Sequence, residues 1–476
     1  MKHTKIVATV GPASESKDML RSLAEAGVNV FRLNFSHNEH AWHREVINRI
    51  REVSAELDSA IGILADLQGP RIRVAVDAEI PVSEKQRLRV SDISRKDTLP
   101  ESSVATVFLD AAGISDALET GHTILIEDGT VRLRVTEKGD GWVMADVEDP
   151  GIIKPRKGVN LPDSRIDLPI LSAKDKKDLK FVLEEGVDFV GLSFVGSAED
   201  IDSARQVMKH LLPEGAPLPD IVSKIERKEA IRNLDAILGA TDAVMVARGD
   251  LGIEMPESEV VILQKDIIRR SLSALKPVIV ATQMMKTMTE NPTPTRAEVS
   301  DVTNAVVDHA DAVMLSEETA MGKYPVEVIT TMREIIEKTE ESPFDDIFKA
   351  LDLNVRSEYA TIIRSAYELA RSFEARAILL LSMSGFTARL ASHFRPDTEL
   401  LVATDNRRTW NKLALLWGVT PYLFEGRKGA DSFIERMIDV AKTQGKLDVG
   451  DRTVVFLGRI PGEQSVQRLV GIREIR

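Results

Sequence analysis

The chain has 476 residues and a mass of 52.6 kDa, which is too long for one hydrophobic core, so two or three domains are expected. Its net charge of -13 argues against nucleic acid or an anionic membrane as the main partner, although small anionic ligands are still allowed. Because the chain has no Cys, disulfides, zinc–thiolate sites and cysteine nucleophiles are excluded. The segment MKHTKIVATVGPAS is typical of a strand and a turn rather than a signal peptide, and no run is long enough to span a bilayer. A cytoplasmic location is therefore expected.

Short runs rich in Val and Ile alternate with helix-period segments, which is typical of β–α units around a parallel sheet. About eight such pairs predict an α/β fold with a (β/α)8 TIM barrel built from residues 1–69 and 159–342. The predicted strands are 4–10, 28–33, 61–66, 187–193, 219–224, 242–247, 277–282 and 311–316. An open doubly wound sheet is the alternative, but no dinucleotide-type glycine fingerprint follows the first strand.

Two further regions differ from this pattern. Residues 70–158 alternate in the manner of strands, with turn signals such as Asp128-Gly129, and predict a small β-barrel domain inserted after the third barrel strand. Residues 343–476 return to β–α alternation and predict a separate C-terminal α/β domain that ends in the short tail GIREIR.

Polar residues cluster at the carboxyl ends of the predicted barrel strands, whereas the amino ends show no comparable cluster of polar residues. In a (β/α)8 barrel the carboxyl ends form the mouth in which active sites lie. The residues in question are Arg32, Asn34, Ser36, Asp66, Lys224, Glu226, Arg248, Gly249, Asp250, Thr282, Gln283, Ser316 and Glu318. Together they offer cations for a phosphoryl group, carboxylates for a divalent metal and hydroxyls for proton delivery.

The segment from 221 to 254 carries the centre of this prediction. Residues two apart in a strand share a face, so Lys224 and Glu226 should lie together, as should Arg248 and Asp250 if the strand geometry continues. Two carboxylates beside a lysine suit a divalent cation that holds an anionic substrate. A glycine at position 249 would let backbone N–H groups approach a substrate carboxylate. Surface ion pairs are the alternative explanation for such charges.

Several long segments, in one order, resemble pyruvate kinase over essentially the whole chain. They are TKIVATVGPAS (4–14), FRLNFSHNEH (31–40), ADLQGPRIR (65–73), KGVNLP (157–162), SKIERKE (223–229), MVARGDLGIE (245–254), ATQMMKTM (281–288), NPTPTRAEVSDVTNAVVD (291–308) and VMLSEETAMGKYP (313–325).

The resemblance implies transfer of the phosphoryl group of phosphoenolpyruvate to ADP, which yields pyruvate and ATP in the last step of glycolysis. It implies that Glu226 and Asp250 hold Mg²⁺ or Mn²⁺, and that Lys224 and Arg32 neutralise the phosphoryl group in flight. The remaining implied roles are the substrate carboxylate for the backbone of Gly249 and Asp250, proton delivery for Thr282 with Ser316 and Glu318, and the nucleotide for His37, Arg73 and Lys157.

Some positions depart from the commonest pattern of that family. Asn34, Ser36, Asp66 and the Leu67 carbonyl are the positions that would ligate K⁺. Relatives that require K⁺ carry Glu at the position of Arg71, so weak or no K⁺ dependence is predicted. Gly196 stands where many relatives have Arg, and Glu317 where many have Gly.

The loop SMSGFTARL (382–390) resembles the effector-phosphate loop of the family, with Ser382, Ser384, Gly385 and Thr387 as its binding residues. The resemblance also implies a homotetramer regulated by a phosphorylated metabolite. Two other functions stay open: a Mg²⁺-dependent lyase or aldolase that acts on 2-oxo acids, and a metabolite sensor without catalysis. A lyase needs no nucleotide-binding domain, and a sensor would be expected to lack Lys224, Glu226 or Asp250.

Overall fold

The computed structural model describes residues 2–164, 168–344, 358–426, 429–457 and 469–476. Eight parallel strands close into a barrel in the order β1-β17-β16-β15-β14-β13-β3-β2, which confirms the predicted (β/α)8 architecture. The barrel strands are β1 (Lys5–Thr9), β2 (Val30–Asn34), β3 (Gly62–Asp66), β13 (Phe189–Leu192), β14 (Asp220–Ile225), β15 (Ala243–Ala247), β16 (Val278–Ala281) and β17 (Ala312–Leu315). Each predicted barrel strand is present to within two residues at either end, because these runs are almost wholly apolar and buried on both faces.

Helices surround this barrel and bury one apolar side against it. They are α1 (Lys17–Ala26), α2 (His40–Glu56), α4 (Ala173–Glu184), α5 (Ala198–Leu211), α6 (Lys228–Arg232), α7 (Leu234–Ala240), α8 (Arg248–Glu254), α9 (Glu257–Ser273), α10 (Arg296–Val307), α11 (Glu317–Ala320) and α12 (Pro325–Glu340). Local sequence fixes several of their starts. Ser172 and Asp175 form a capping box at α4, and Thr295 and Glu298 form another at α10.

The inserted region folds into short strands with one four-residue helix, α3 (Ile114–Ala117). Its strands are β4 (Ile72–Arg73), β5 (Ile80–Val82), β6 (Arg87–Asp92), β7 (Thr106–Leu109), β8 (Thr123–Ile126), β9 (Val131–Gly139), β10 (Trp142–Asp149), β11 (Gly151–Ile153) and β12 (Gly158–Asn160). Seven of them form a sheet in the order β4-β12-β8-β9-β10-β6-β7, and β5 pairs with β11. A bridge between Val74 and Leu109 joins the two edges of the larger sheet, so the sheet curls into a small barrel.

The C-terminal region is a five-stranded sheet in the order β20-β19-β18-β21-β22. Its elements are α13 (Glu358–Ser372), β18 (Ala377–Leu381), α14 (Phe386–His393), β19 (Glu399–Thr404), α15 (Arg407–Leu413), β20 (Val419–Leu423), α16 (Ala430–Thr443), β21 (Arg452–Leu457) and β22 (Leu469–Glu474). Sequence reasoning missed β20 and treated the end of the chain as a tail. Residues Leu469–Glu474 instead form an edge strand antiparallel to β21.

The amino ends of the barrel strands also carry a set of polar residues, which corrects the expectation from sequence that such residues cluster only at the carboxyl ends. An aspartate stands at or immediately before the first residue of four strands: Asp188, Asp220, Asp242 and Asp311. Asp188, Asp242 and Asp311 each accept a backbone N–H from a neighbouring strand at 2.9 Å. These carboxylates therefore bind the strands of the barrel to one another at the end opposite the mouth.

The same aspartates dock the C-terminal region. Asp220 pairs with Arg389 at 3.1 Å and with Lys412 at 2.5 Å. Arg395 lies 2.8 Å from Asp311, and both side chains are buried. Sequence reasoning found no role for these charges, and they form a polar interface between the two α/β units.

Asn160 and Asp163, in the segment where the chain returns from the inserted region, contact residues of the barrel. The Glu254 carboxylate at the end of α8 accepts the Lys228 backbone N–H at 3.0 Å and the Asn160 side-chain amide at 3.5 Å. The Lys228 ammonium lies 3.6 Å from Asp163. Burial raises the pKa of Glu254. These contacts connect the helix that carries Asp250 to the base of the inserted region.

Throughout the described residues, no helix is both long and apolar enough to cross a membrane.

Candidate active site

Lys224 lies at the centre of the barrel mouth, near the end of β14. Its ammonium is 2.8 Å from Glu226 Oε1, 2.9 Å from Ser193 Oγ and 3.4 Å from Asp66 Oδ1. Burial disfavours the charged form, but the carboxylates of Asp66 and Glu226 outweigh it, so the pKa of Lys224 is raised. Lys224 is therefore a fixed cation, and Lys224 and Glu226 share a face as strand periodicity predicted.

Asp66 connects Lys224 to Arg32. Its Oδ2 atom lies 2.7 Å from both Nε and Nη2 of Arg32, while its Oδ1 atom is buried and has no hydrogen-bond partner. Burial works against the charged carboxylate, but Lys224 and Arg32 outweigh it and the pKa of Asp66 is lowered. One carboxylate thus holds two cations in place on the same rim. Thr9 Oγ1 accepts a further hydrogen bond from Arg32 at 3.0 Å.

Glu226 and Asp250 are the two carboxylates predicted to hold a divalent cation. Glu226 is buried, and its Oε2 atom accepts the Phe194 backbone N–H at 2.8 Å. Burial raises the pKa of Glu226, and the nearby carboxylate of Asp250 raises it further. Within the described part of the chain, no cluster of three or more His, Cys, Asp or Glu side chains could hold a metal. Mg²⁺ commonly binds through one or two carboxylates with water and substrate oxygens, so the donor set fits that ion.

Arg248 does not share a face with Asp250, because the strand geometry stops at Ala247 and α8 begins at Arg248. Its guanidinium is buried, pairs with Asp301 at 2.7 Å and donates to the Thr282 carbonyl at 2.6 Å. Arg248 still lines one cavity with Asp250 and Gln283, so its place among the mouth residues stands, whereas the expected strand face shared with Asp250 does not form. The residue also supports the loop that carries Thr282.

Thr282 has a backbone φ of 69° and is followed by Gln283 at 56°. Such a left-handed conformation is unfavourable for a β-branched residue, and such strained residues cluster at functional sites. Thr282 Oγ1 accepts the Gly249 backbone N–H at 2.8 Å. That N–H was predicted to face a substrate carboxylate, and in this structure the threonine hydroxyl engages it.

Ser316 and Glu318 follow the last barrel strand. The buried carboxylate of Glu318 accepts the backbone N–H of Ser316 at 2.7 Å and of Met285 at 3.3 Å. Glu318 therefore joins the loops after β16 and β17, while Ser316 lies half-buried at the mouth. Gln283 is exposed.

The residues predicted to meet a nucleotide lie after β2 and at the two junctions of the inserted region. His37 is exposed after β2. Arg73 donates to the Arg156 carbonyl at 3.0 Å, and Lys157 pairs with Glu127 at 2.7 Å. Arg73 and Lys157 flank the β4–β12 pair, in which Gly158 is opposite Arg73. The sequence therefore brings the two junction cations to the base of the inserted region, as predicted.

Two family models match the chain: "Pyruvate kinase, barrel domain" over residues 1–329 and "Pyruvate kinase, alpha/beta domain" over residues 360–468. The chain belongs to the pyruvate kinase family. It is therefore a phosphotransferase. Among its relatives, pyruvate kinase from Staphylococcus epidermidis is 38% identical over 479 residues, covering 99% of this chain and 80% of that protein. Pyruvate kinase 2 from Synechocystis sp. is 39% identical over 486 residues (100% and 80%), and pyruvate kinase from Agrobacterium vitis is 40% identical over 461 residues (96% and 95%).

Four positions would form the K⁺ site of a pyruvate kinase. Asn34 Oδ1 accepts the Ser36 backbone N–H at 3.1 Å, and the Leu67 carbonyl accepts Ser193 Oγ at 2.8 Å. Asp66 contacts the two cations described above. Asn34, Ser36, Asp66 and Leu67 thus lie at the ends of β2 and β3, which are adjacent and paired at Asn34 and Asp66.

Arg71, where a departure from K⁺-requiring relatives was expected, lies 3.3 Å from Asp128 and lines a cavity of about 830 Å³ together with Asp250 and Gln283. Glu317 lines the same cavity and is exposed. Arg71 and Glu317 therefore bring opposite charges to one cleft.

Gly196 lies against the side chains of Arg227 and Glu229. A Cβ at this position would lie 2.8 Å from Glu229 Oε2 and 3.4 Å from Arg227 Nη1. Arg227 and Glu229 pair at 3.2 Å. A guanidinium is therefore present beside position 196, although it comes from position 227.

The loop after β18 contains the four residues predicted to bind an effector phosphate. Ser382 is buried, and its Oγ accepts the Ala388 backbone N–H in the first turn of α14 at 3.3 Å. Gly385 has a φ of 82° and immediately precedes that helix. Ser384 is exposed and Thr387 half-buried, and neither makes a side-chain hydrogen bond with the described residues.

Sequence reasoning missed Ser193 as a site residue. It follows β13 and was treated as the end of a strand, although it stands three residues before the departure at Gly196. Its hydroxyl contacts both the Lys224 ammonium and the Leu67 carbonyl. The signal that could have found it is its position, since it ends a barrel strand like the other mouth residues.

Proposed function

We propose that this chain transfers the phosphoryl group of phosphoenolpyruvate to ADP and so produces pyruvate and ATP. The observation that carries the proposal is the half-buried cation pair Lys224 and Arg32, which one carboxylate, Asp66, holds on a single rim. Phosphoryl transfer needs fixed positive charge around the equatorial oxygens of the group in flight. Two fixed cations that are open to the barrel mouth provide it without reorganisation.

Glu226 and Asp250 would hold Mg²⁺ or Mn²⁺, which when bound supplies positive charge to the substrate carboxylate and enolate oxygen. The two carboxylates repel each other in the absence of a cation, and this repulsion supports the assignment. Lys224 contacts Glu226 directly, so the proposed metal ligand and the phosphoryl-binding ammonium are held in one geometry.

The enolate must gain a proton at carbon to become pyruvate. Thr282 is proposed to deliver it, through water, because its hydroxyl lies against Gly249 at the substrate end of the mouth. Ser316 would belong to the same relay. Glu318 acts mainly by orienting that loop, since backbone N–H groups occupy both of its carboxylate oxygens.

ADP is proposed to bind between His37 and the junction cations Arg73 and Lys157. Arg73 ends β4 and Lys157 immediately precedes β12, where the inserted region joins the barrel. Movement of this region would close the cleft over the substrates and exclude water, which limits hydrolysis of the phosphoryl group.

Three regulatory properties complete the proposal. The guanidinium of Arg71 supplies positive charge to the cleft, so K⁺ at Asn34, Ser36, Asp66 and Leu67 is not required for activity. A phosphorylated metabolite binds at the loop of residues 382–387, where two hydroxyls have no partner among the described residues. The protein works as a cytoplasmic homotetramer, as is usual in the family.

A coupled assay with phosphoenolpyruvate, ADP and Mg²⁺ tests the activity, with ATP and pyruvate measured separately. Equal amounts of both products are expected. The variant Lys224→Met should lose at least about 1,000-fold in turnover because a fixed buried cation is removed. The control is Lys180→Met, since Lys180 is an exposed lysine on α4.

The outcomes of this assay separate the kinase from the two other functions. Pyruvate without ATP would indicate transfer of the phosphoryl group to water instead of ADP, and no turnover of phosphoenolpyruvate in the parent chain would favour a lyase or a sensor. Unchanged turnover of Lys224→Met would remove Lys224 from the mechanism.

A further inference from the structure

We propose that Ser193 is a positioning residue that holds the Lys224 ammonium for phosphoryl transfer; the proposal rests on the function proposed above. Ser193 Oγ lies 2.9 Å from Lys224 Nζ and 2.8 Å from the Leu67 carbonyl. The residue is only 4% exposed. Its hydroxyl therefore has two protein partners and belongs to the buried wall of the mouth.

The two hydrogen bonds fix the direction of the hydroxyl. A carbonyl oxygen can only accept, so the Ser193 proton points to Leu67 and a lone pair faces the ammonium. Gly69 packs closely against Ser193, since a Cβ at position 69 would lie 2.9 Å from Ser193 Cβ. The orientation of the Ser193 hydroxyl is therefore set by protein partners that are present without substrate.

A lysine ammonium has three N–H donors. Ser193 and Glu226 accept two of them at 2.9 Å and 2.8 Å, whereas Asp66 Oδ1 lies farther away, at 3.4 Å. Two short contacts fix the direction of the third N–H bond. The longer contact to Asp66 is the one that an incoming phosphoryl oxygen would replace.

This arrangement predicts an effect on catalysis rather than on ground-state binding. Without the serine oxygen, the ammonium loses one fixed contact and can turn toward the carboxylates of Asp66 and Glu226. The ammonium would then have to be realigned with the phosphoryl group in the transition state, where the equatorial oxygens need a positive charge in one fixed position. This realignment raises the activation free energy.

The test is the steady-state kinetics of Ser193→Ala in the full-length chain, with phosphoenolpyruvate and ADP varied separately. The kcat is expected to fall about 10- to 100-fold, which is the range of a hydrogen bond to a charged group. The KM for phosphoenolpyruvate should change less than about threefold. The matched control is Ser223→Ala. Ser223 neighbours Lys224 on β14, is fully buried, and donates instead to Thr241 at 2.8 Å.

A second comparison separates positioning from a structural role. In the Lys224→Met background, Ser193→Ala should cause no further loss of turnover, because its partner is already absent. The variant Ser193→Cys should behave like Ser193→Ala, since a thiol is a weak acceptor of nearly the same shape.

The proposal is overturned if Ser193→Ala keeps more than half of the parent kcat, if Ser223→Ala loses as much, or if the losses add in the Lys224→Met background. An inactive parent chain would overturn the proposed function itself, and with it the role of Ser193. An active parent with an unaffected Ser193→Ala variant would overturn the positioning role alone.

Discussion

The contact between Arg395 and Asp311 should decide how firmly the C-terminal region is docked on the barrel. Arg395 follows α14, and its side chain is 3% exposed. Its Nη1 atom lies 2.8 Å from Asp311, and its Nη2 atom donates to the His309 carbonyl at 2.8 Å. The guanidinium also lies 5.0 Å from the ring centre of Trp417. Replacement by Met keeps most of the volume and removes the charge.

The expected loss of unfolding free energy follows from the Asp311 carboxylate, which stays buried without its partner in Arg395→Met. Breaking a buried ion pair by removing one partner costs about 3–5 kcal/mol, because an uncompensated charge stays buried. Asp311 keeps its hydrogen bond from the Val278 backbone, so the lower end of that range applies. We therefore expect Arg395→Met to lower the free energy of unfolding by about 3 kcal/mol. Arg269→Met should cost less than about 1 kcal/mol, since Arg269 forms an exposed pair with Asp266.

The assay is urea unfolding followed by tryptophan fluorescence, because Trp410 and Trp417 are buried in the docked region. The double variant Arg395→Met, Asp311→Asn should recover at least about 1 kcal/mol of the loss, since the stranded charge is gone. Turnover of the folded variant should match that of the parent, because the contact lies at the amino end of the barrel. A stability within about 1 kcal/mol of Arg269→Met would refute the reasoning.

Three other predictions concern the site and its regulation. Removing K⁺ should leave the parent active, whereas Arg71→Glu should become K⁺-dependent; a collapse of parent activity without K⁺ in a kinetic titration would contradict this. A Ser384→Ala, Thr387→Ala double variant should lose its response to a phosphorylated effector, and a response equal to that of the parent would rule the loop out. Burial lowers the pKa of His43 to about 4, so the stability it contributes is complete above about pH 6.5 and is lost as the pH falls toward 4. Between pH 7 and 5 the parent should therefore lose about 2 kcal/mol more than His43→Gln in chemical unfolding, and equal losses would contradict the assignment.

The barrel could be predicted from sequence because each of its strands is a buried apolar run followed by a helical pattern. The edges of the C-terminal sheet carry no such signal. Strand β20 contains Pro421 and is only partly buried, and β22 contains Gly471 and exposes most of its residues. Edge strands tolerate such residues because one side needs no partner, so their sequence resembles that of a loop.

The site was predictable only where strand geometry continued. The two-residue period places Lys224 beside Glu226 because β14 runs to Ile225. The same rule failed for Arg248 and Asp250, because the chain enters a helix at Arg248. The two-residue period therefore locates a side chain only as far as the backbone stays extended. The residue at which the strand gives way to a helix depends on tertiary contacts such as the pair between Arg248 and Asp301.

Polar residues at strand ends do not by themselves identify a functional site, since this barrel has them at both ends. Two buried aspartates, one at each end of the barrel, differ in how their oxygens are bonded. Asp311, at the amino end, has one oxygen bonded to a backbone N–H and the other to Arg395. Asp66, at the carboxyl end, is as deeply buried, yet its Oδ1 atom has no hydrogen-bond partner, and the nearby Lys224 ammonium is 3.4 Å away. An unpaired buried oxygen costs free energy, and a cation at the mouth would satisfy it. The two cations that Asp66 already holds, Lys224 and Arg32, are the physical reason for proposing that the phosphoryl group binds there.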